Sequence, residues 1–257
     1  MSDDRKSLSD IVFASQASPD TVENHGMIGA STRMRALFAA LPRVAPALSP
    51  LLIAGERGTG KSLMARAVHG LSDRAEGPFV TVDCAAVPES QVHAALSSGL
   101  QSADGGTLVL NSIGGLSVDL QARLLRALRA ADTDVRIVST TDTDLEQAVE
   151  SDRFREALYY QLNVLSIRVP PLRERGRDVQ LLADFFLGKF TSPSSRRRVV
   201  GFSAEARLAM QQWSWPGNVR ELVNRIKKAI VTCEKGPLYS SDLDLDFDHR
   251  VHGQMVM

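Results

Sequence analysis

Cysteine is nearly missing from this 257-residue chain, which has only Cys84 and Cys233, far apart. Such a pair makes neither a disulfide framework nor a zinc-ligand spacing, and it fits a reducing compartment. Excess charge of either sign is missing too: 30 lysines and arginines balance 30 aspartates and glutamates. That balance is not the footprint of a domain that grips nucleic acid through its phosphates. Long apolar runs are missing as well. The greasiest region, residues 39–55, is interrupted by Pro42, Arg43, Pro46 and Pro50, so no membrane span is expected. Met1 to Asp10 are polar and acidic, without the basic-then-apolar layout of a secretory signal. The expectation is a cytoplasmic protein with no membrane partner. What remains is 44% apolar and 23% charged, an ordinary globular composition able to bury a core.

Residues 1–25, rich in Ser and Asp, read as a disordered or loosely attached leader. Thr32 to Ala40 reads as a short helix. Short apolar runs bounded by turn residues then recur at Leu51 to Ala54, Phe79 to Val82, Thr107 to Leu110, Val135 to Val138 and Leu165 to Val169, the pattern of buried strands. Helical segments separate most of them. The clearest starts near Ser117, with Leu120, Leu124, Leu125 and Leu128 on one face and Arg123, Arg126 and Arg129 on a solvated one. Alternation of strand and helix predicts an α/β fold, a parallel sheet covered on both faces. After about Arg177 the strands stop, and Val179 to Phe190, Ser203 to Trp213 and Asn218 to Cys233 read as helices. The expected division is an α/β domain over 26–177, a small all-α lid over 178–236 and an acidic tail or linker over 237–257. Arg196-Arg197-Arg198 reads as a solvated loop tip, and Trp213 and Trp215 as lid core.

The strongest chemical signal is Gly55-Glu56-Arg57-Gly58-Thr59-Gly60-Lys61-Ser62. It follows a buried strand and precedes a helix, where a phosphate-binding loop has to sit. Its glycines let the backbone curl so that N–H groups converge on phosphate oxygens. The positive end of the following helix favours the same anion. Lys61 would reach the outer phosphates and the Ser62 hydroxyl a Mg²⁺ position. The expected ligand is ATP or ADP. His25, His69 and His93 do not converge with Cys84 on a metal-site spacing and read as surface or packing residues.

Three further runs narrow the reading. They are Gly105-Gly106-Thr107-Leu108-Val109-Leu110; Phe154 to Val164 with Pro170-Pro171-Leu172-Arg173-Glu174-Arg175; and Trp215-Pro216-Gly217-Asn218-Val219-Arg220-Glu221-Leu222. Together with the phosphate loop they closely resemble the AAA+ central domain of sigma-54-dependent transcription activators, from about Met27 to about Val231. The resemblance implies a five-stranded core, a helical lid, nucleotide at their junction and a tendency to form rings. It also implies that Arg155 acts across a subunit boundary on a neighbour's phosphate and that Arg220 senses nucleotide from the lid.

Departures from the family pattern carry as much as the matches. Family members end the second nucleotide strand with Asp-Glu, for Mg²⁺ and for the attacking water; here Asn111 and Ser112 stand there. Asn cannot offset metal charge, and Ser is too weakly basic to polarise water. Gln161 stands where a second trans-acting arginine is expected, Asp142 where a sensor asparagine is usual, and Asp83 where an asparagine partners the catalytic glutamate. Asp83 and Asp142 are therefore the candidate replacement catalytic carboxylates. The Gly-Ala-Phe-Thr-Gly-Ala hairpin that grips sigma factor does not occur between Cys84 and Gly105, so direct sigma-54 remodelling is not expected. The last 21 residues are acidic and hold no basic recognition helix, so this segment alone is not expected to bind DNA.

These features predict a nucleotide-binding transcriptional regulatory domain with weak or no hydrolysis and weakly held Mg²⁺. Its output would pass through protein contacts, with itself or a related AAA+ activator in mixed oligomers, or with other regulators. Two alternatives stand beside this: an active ATPase using Asp83 or Asp142, and a sensor holding a cyclic dinucleotide in the same cleft.

Overall fold

The computed structural model describes residues 22–24, 26–87, 91–130, 132–191 and 198–245. Residues 1–21 of the expected leader, His25, Arg196 and Arg197, and Asp246 and Asp248 of the expected tail lie outside the described residues.

The chain enters through an antiparallel pair, β1 (Val22–Asn24) and β2 (Met27–Gly29), with Val22 opposite Gly29. Three residues assigned to the leader are thus a strand. Helix α1 (Thr32–Val44) follows, capped by Ser31, and runs a turn beyond the expected end. Then come β3 (Leu51–Ala54), α2 (Lys61–Gly70), β4 (Phe79–Asp83), α3 (Val92–Ser102), β5 (Thr107–Asn111), α4 (Val118–Ala130), β6 (Arg136–Thr141), α5 (Leu145–Glu150), α6 (Glu156–Leu162) and β7 (Leu165–Arg168). The five strands β3 to β7 form one parallel sheet in the order β4–β5–β6–β3–β7. The expected strands are all present. The β6 strand extends past the expected Val138 because its second half, Ser139-Thr140-Thr141, is polar yet buried and gave no apolar run.

Alternate side chains along a strand point to opposite faces, and both faces here are covered. Leu51, Ile53, Val109 and Val138 pack with Met34, Phe38 and Leu41 of α1 and Met64 and Val68 of α2. Leu52, Leu108 and Leu110 pack with Leu96 of α3, Leu120 and Leu124 of α4, and Leu158 and Leu162 of α6. The Arg123, Arg126 and Arg129 face of α4 is exposed, as expected.

Beyond β7 lie α7 (Asp178–Phe190), β8 (Arg198–Phe202), α8 (Ala204–Gln212), α9 (Asn218–Thr232) and β9 (Lys235–Leu238). The three helices share an apolar cluster that includes Leu182, Leu187, Ala206, Met210, Leu222 and Ile226. Two expectations are corrected here. Strands do not stop at Arg177, because β8 and β9 pair in parallel with an irregularity between Val199 and Gly201. Residues from 237 do not begin a tail, because Leu238, Leu243 and Leu245 are fully buried in the lid cluster. The leucines of this acidic stretch pack one face of the lid, while Asp244 stays exposed and Asp242 is half-buried.

Candidate nucleotide site

The loop between β3 and α2 is shaped by contacts that only glycine permits. A Cβ on Gly55 would stand 2.7 Å from the Val169 carbonyl oxygen. Gly58 and Gly60 have φ of +80° and +104°, the left-handed region that favours glycine. The hydroxyl of Thr59 donates to the Glu56 carbonyl (2.8 Å) and braces the turn. Lys61 folds inward: its Nζ donates to the carbonyl oxygens of Gly55 (2.6 Å) and Glu56 (2.9 Å). Burial lowers the pKa of this ammonium, while the Asp142 carboxylate pulls it back up.

The lid closes directly on this loop. Backbone N–H of Val219 donates to the Gly58 carbonyl (3.0 Å), and a Cβ on Gly58 would meet Gly217 O at 2.2 Å. Asn218 is fully buried and joins three segments. Its Oδ1 accepts from the Leu172 N–H (2.7 Å), while its Nδ2 donates to the Arg57 carbonyl (3.0 Å) and to Glu56 Oε2 (3.1 Å). Trp215 and Asn218 both take left-handed backbone, φ +51° and +53°. Trp215 is buried, its indole N–H donating to the Met210 carbonyl (2.8 Å). The Trp215-to-Arg220 run is therefore the device that sets the start of α9 on the loop, and it brings Arg220 into the cleft.

Behind the loop, Arg173 grips Glu56 with both guanidinium nitrogens. That hydrogen bonding holds the Glu56 carboxyl down at about 2, against an opposing push from burial. Arg175 is buried and donates to the carbonyl oxygens of Thr59 (2.7 Å) and Pro170 (2.9 Å); burial pushes its pKa down to about 10. The buried Asp178 at the start of α7 accepts from the N–H groups of Ala30 and Ser31 and from the Ser31 hydroxyl, each at 2.8 Å. The start of α7 is thereby clasped to the entry of α1.

Core and lid enclose a cleft of about 520 Å³. Its lining includes the apolar side chains of Met27, Ile28, Leu182, Phe186, Val219 and Val223. It also gathers Arg57, Gly58, Thr59, Gly60, Lys61, Ser62 and Arg220 with the strand-end residues Asp83, Asn111, Ser112 and Asp142. Most of the expected site residues thus meet in one place. Gly55 and Glu56 are the exceptions on the loop, since they line a separate hollow behind it, and Glu56 holds the loop's shape through Arg173 and Asn218. Arg155 is exposed at the start of α6, its Nε donating to the Val118 carbonyl (2.9 Å), and it does not line the cleft of its own chain. Gln161 lies half-buried in α6. His69 is buried against Thr107 Oγ1 (3.0 Å), a packing role; the side chain of His93 lies outside the described ones.

The strand ends are lightly built. Asn111 Oδ1 accepts from the Thr140 hydroxyl (3.0 Å), whose oxygen accepts from the Ser112 N–H (3.2 Å). Asp83 Oδ1 accepts from the Ala85 N–H (3.1 Å), and Asp142 Oδ2 stands 3.7 Å from Arg57 Nε. Among the described residues no three His, Cys, Asp or Glu side chains gather as a metal site. At the end of β5 the metal-holding position offers a neutral amide already engaged with Thr140, with the Ser62 hydroxyl and the Asp83 and Asp142 carboxylates in the same cleft. Sequence reasoning missed Arg175, Asp178 and Phe186. Arg175 stood in a recognised motif without a role, and Phe186 read only as one more apolar residue of a helix.

Comparison with known proteins agrees with this geometry. The family described as "Sigma-54 interaction domain" matches residues 27–168, more than half of the chain. The chain belongs to that family. The family described as "AAA+ ATPase lid domain" matches residues 173–255. Among relatives, the transcriptional regulatory protein ZraR of Escherichia coli is 40% identical over 237 residues, 82% of this chain and 54% of its own. The Nif-specific regulatory protein of Azotobacter vinelandii is 42% identical over 82% of this chain and 45% of its own. The chain thus spans about half the length of the curated relatives it matches. NtrX from Brucella abortus, crystallised in complex with ATP, superposes with a TM-score of 0.77 at 31% identity, over 84% of this chain and 56% of that one. Its complex with ADP gives the same score at 29% identity, over 86% of this chain and 55% of that one. The fold is accordingly that of an AAA+ domain of the sigma-54 activator type. Among the described residues, no helix is long and apolar enough to cross a membrane.

Proposed function

We propose that this chain is a nucleotide-responsive regulatory domain of transcription control, which binds ATP or ADP with little or no hydrolysis. The carrying observation is the contrast inside one cleft. The phosphate loop, Lys61 and Arg220 converge on it, while the end of β5 offers only Asn111 and Ser112 where hydrolysis needs a metal-holding carboxylate and a base. The apolar side chains suit a base, and the glycine-shaped loop followed by the start of α2 suits a phosphate chain. NtrX, bound to ATP and to ADP, supports the ligand class.

Binding would report through the lid, because the Gly58 carbonyl and Asn218 couple the loop to α9. A phosphate chain that repositions Lys61 and Arg57 would therefore move, or lock, the start of α9. The output is contact with other proteins: copies of this chain, a related AAA+ activator, or other regulators in the cytoplasm. Arg155 is exposed and outside its own cleft, a placement compatible with serving a neighbour's phosphate in a mixed ring. Between β4 and β5 the only described element is the single helix α3, which supports a function other than gripping sigma factor with a hairpin.

One observation favours an active ATPase as the second reading: Asp83 and Asp142 both line the cleft. Binding and turnover measured on one preparation, with Lys61→Ala as control, separate the two. Binding that depends on Lys61, with turnover no higher than in Lys61→Ala, is the expected result. Turnover that Lys61→Ala removes would establish a working motor instead.

A further inference from the structure

Asp142 is the strand-end group that meets the phosphate loop. Its Oδ2 stands 3.7 Å from Nε of Arg57, and its carboxylate is the strongest of the charges acting on Lys61. Arg57 therefore already has an anion of the chain itself beside it, and Lys61 feels the same charge while bonded to backbone carbonyls. A diphosphate cradled by the glycine-shaped loop would leave the strand ends free. A third phosphate would share the cleft with the carboxylates of Asp142 and Asp83, against which Asn111 brings no charge. Like charges a few ångströms apart, in the effective dielectric of a protein cleft, cost enough to change affinity by about tenfold or more.

We propose that the Asp142 carboxylate holds the place of the outermost phosphate and makes this cleft selective for a nucleoside diphosphate over a triphosphate. The inference rests on the nucleotide-binding reading above and adds its specificity. The resting partner of Arg57 is then a side chain, while Lys61 rests on the carbonyl oxygens of Gly55 and Glu56, and the nucleotide that fits beside Asp142 is ADP. A triphosphate has to displace Asp142 from Arg57 before its last phosphate can use that cation.

Titration calorimetry with ADP and with a non-hydrolysable ATP analogue, each with and without Mg²⁺, tests this on the parent chain, Asp142→Asn and Lys61→Ala. The parent is expected to bind ADP about tenfold or more tighter than the triphosphate. Asp142→Asn is expected to tighten the triphosphate by a similar factor while leaving ADP within about threefold. Retained ADP binding also shows that the variant is folded, and Asp142→Ser repeats the test without an amide. A parent that binds the triphosphate as tightly as ADP, in either metal condition, overturns the inference. So does an ADP-to-triphosphate ratio that neither variant changes. Both results leave nucleotide binding standing. Absence of binding by either nucleotide, or binding indifferent to Lys61→Ala, removes the nucleotide reading and the specificity with it.

Discussion

Two walls of the cleft are built to different standards. On the loop side, groups are buried and bonded several times over. Asn218 alone joins Leu172, Arg57 and Glu56, and Arg175 joins Thr59 to Pro170. On the strand-end side, Asp83, Asn111 and Asp142 each have one polar side-chain contact among those described, and the two carboxylates are exposed. Catalysis requires groups held to within fractions of an ångström by their neighbours, whereas binding a phosphate chain requires a rigid cradle of N–H groups. The loop side is held by several bonds to each group and the strand-end side by one. The difference teaches that the loop with its lid and the strand ends are built independently within one cleft.

The largest effect is expected where the loop touches the lid. Gly58→Ala places a Cβ 2.2 Å from the Gly217 carbonyl oxygen, on a backbone whose φ of +80° already disfavours a side chain. The start of α9 must back away, taking Arg220 with it and breaking the bond from Val219 to Gly58. Affinity for ADP should fall on the order of a hundredfold, about 2.7 kcal/mol, as read by calorimetry. Unchanged ADP affinity would show that the lid contact is not part of the site, and the contrast between the two walls would lose its meaning.

A smaller effect, with a defined pH window, is expected at Glu56. Its carboxyl titrates at about 2 rather than 4.5 because Arg173 hydrogen-bonds the ionised form. Over that window the unfolded chain binds the proton more readily, so stability rises with pH. The contribution is complete above about pH 4.5 and is lost as pH falls toward about 2. The two side chains are 40% and 45% exposed, so solvent screening holds the net effect to roughly 1 kcal/mol or less. Urea midpoints at about pH 5, 4 and 3 should fall less steeply for Glu56→Gln than for the parent. Equal slopes would mean that the pair does not hold the loop.

Much of the α/β core was legible because its strands are short apolar runs between turns, and parallel burial makes them so. The loop 55–62 was legible because its chemistry needs those residues at that spacing. Other features were hidden for physical reasons. The polar end of β6 is buried by neighbouring strands, which periodicity does not register. The strands β8 and β9 are short and carry Gly201 and Pro237, so they read as loop. Leu243 and Leu245 stand among aspartates, and only the fold shows that they close the lid. Within the site, the pattern named Asp142 as unusual, but its contact with Arg57 depends on two segments meeting in space. Asn218 and Arg175 were likewise visible as motif residues, while the work each does is a matter of three segments converging.

The smallest effect is expected at Asp83, and it bears most directly on the strand-end wall. The carboxylate is exposed and accepts a single bond, from the N–H of Ala85 two residues on, as a turn-forming aspartate does. Asp83→Ala should shift stability by no more than about 0.5 kcal/mol and leave any phosphate release at the level of the parent. A group that braces its own turn has little hold on a water or metal in the cleft, since among the described residues no side chain fixes its second oxygen. If Asp83→Ala instead abolished a measurable turnover that Lys61→Ala also removes, the carboxylate would be acting on water or metal. The lightly built wall would then be a working one, assembled only when nucleotide is bound.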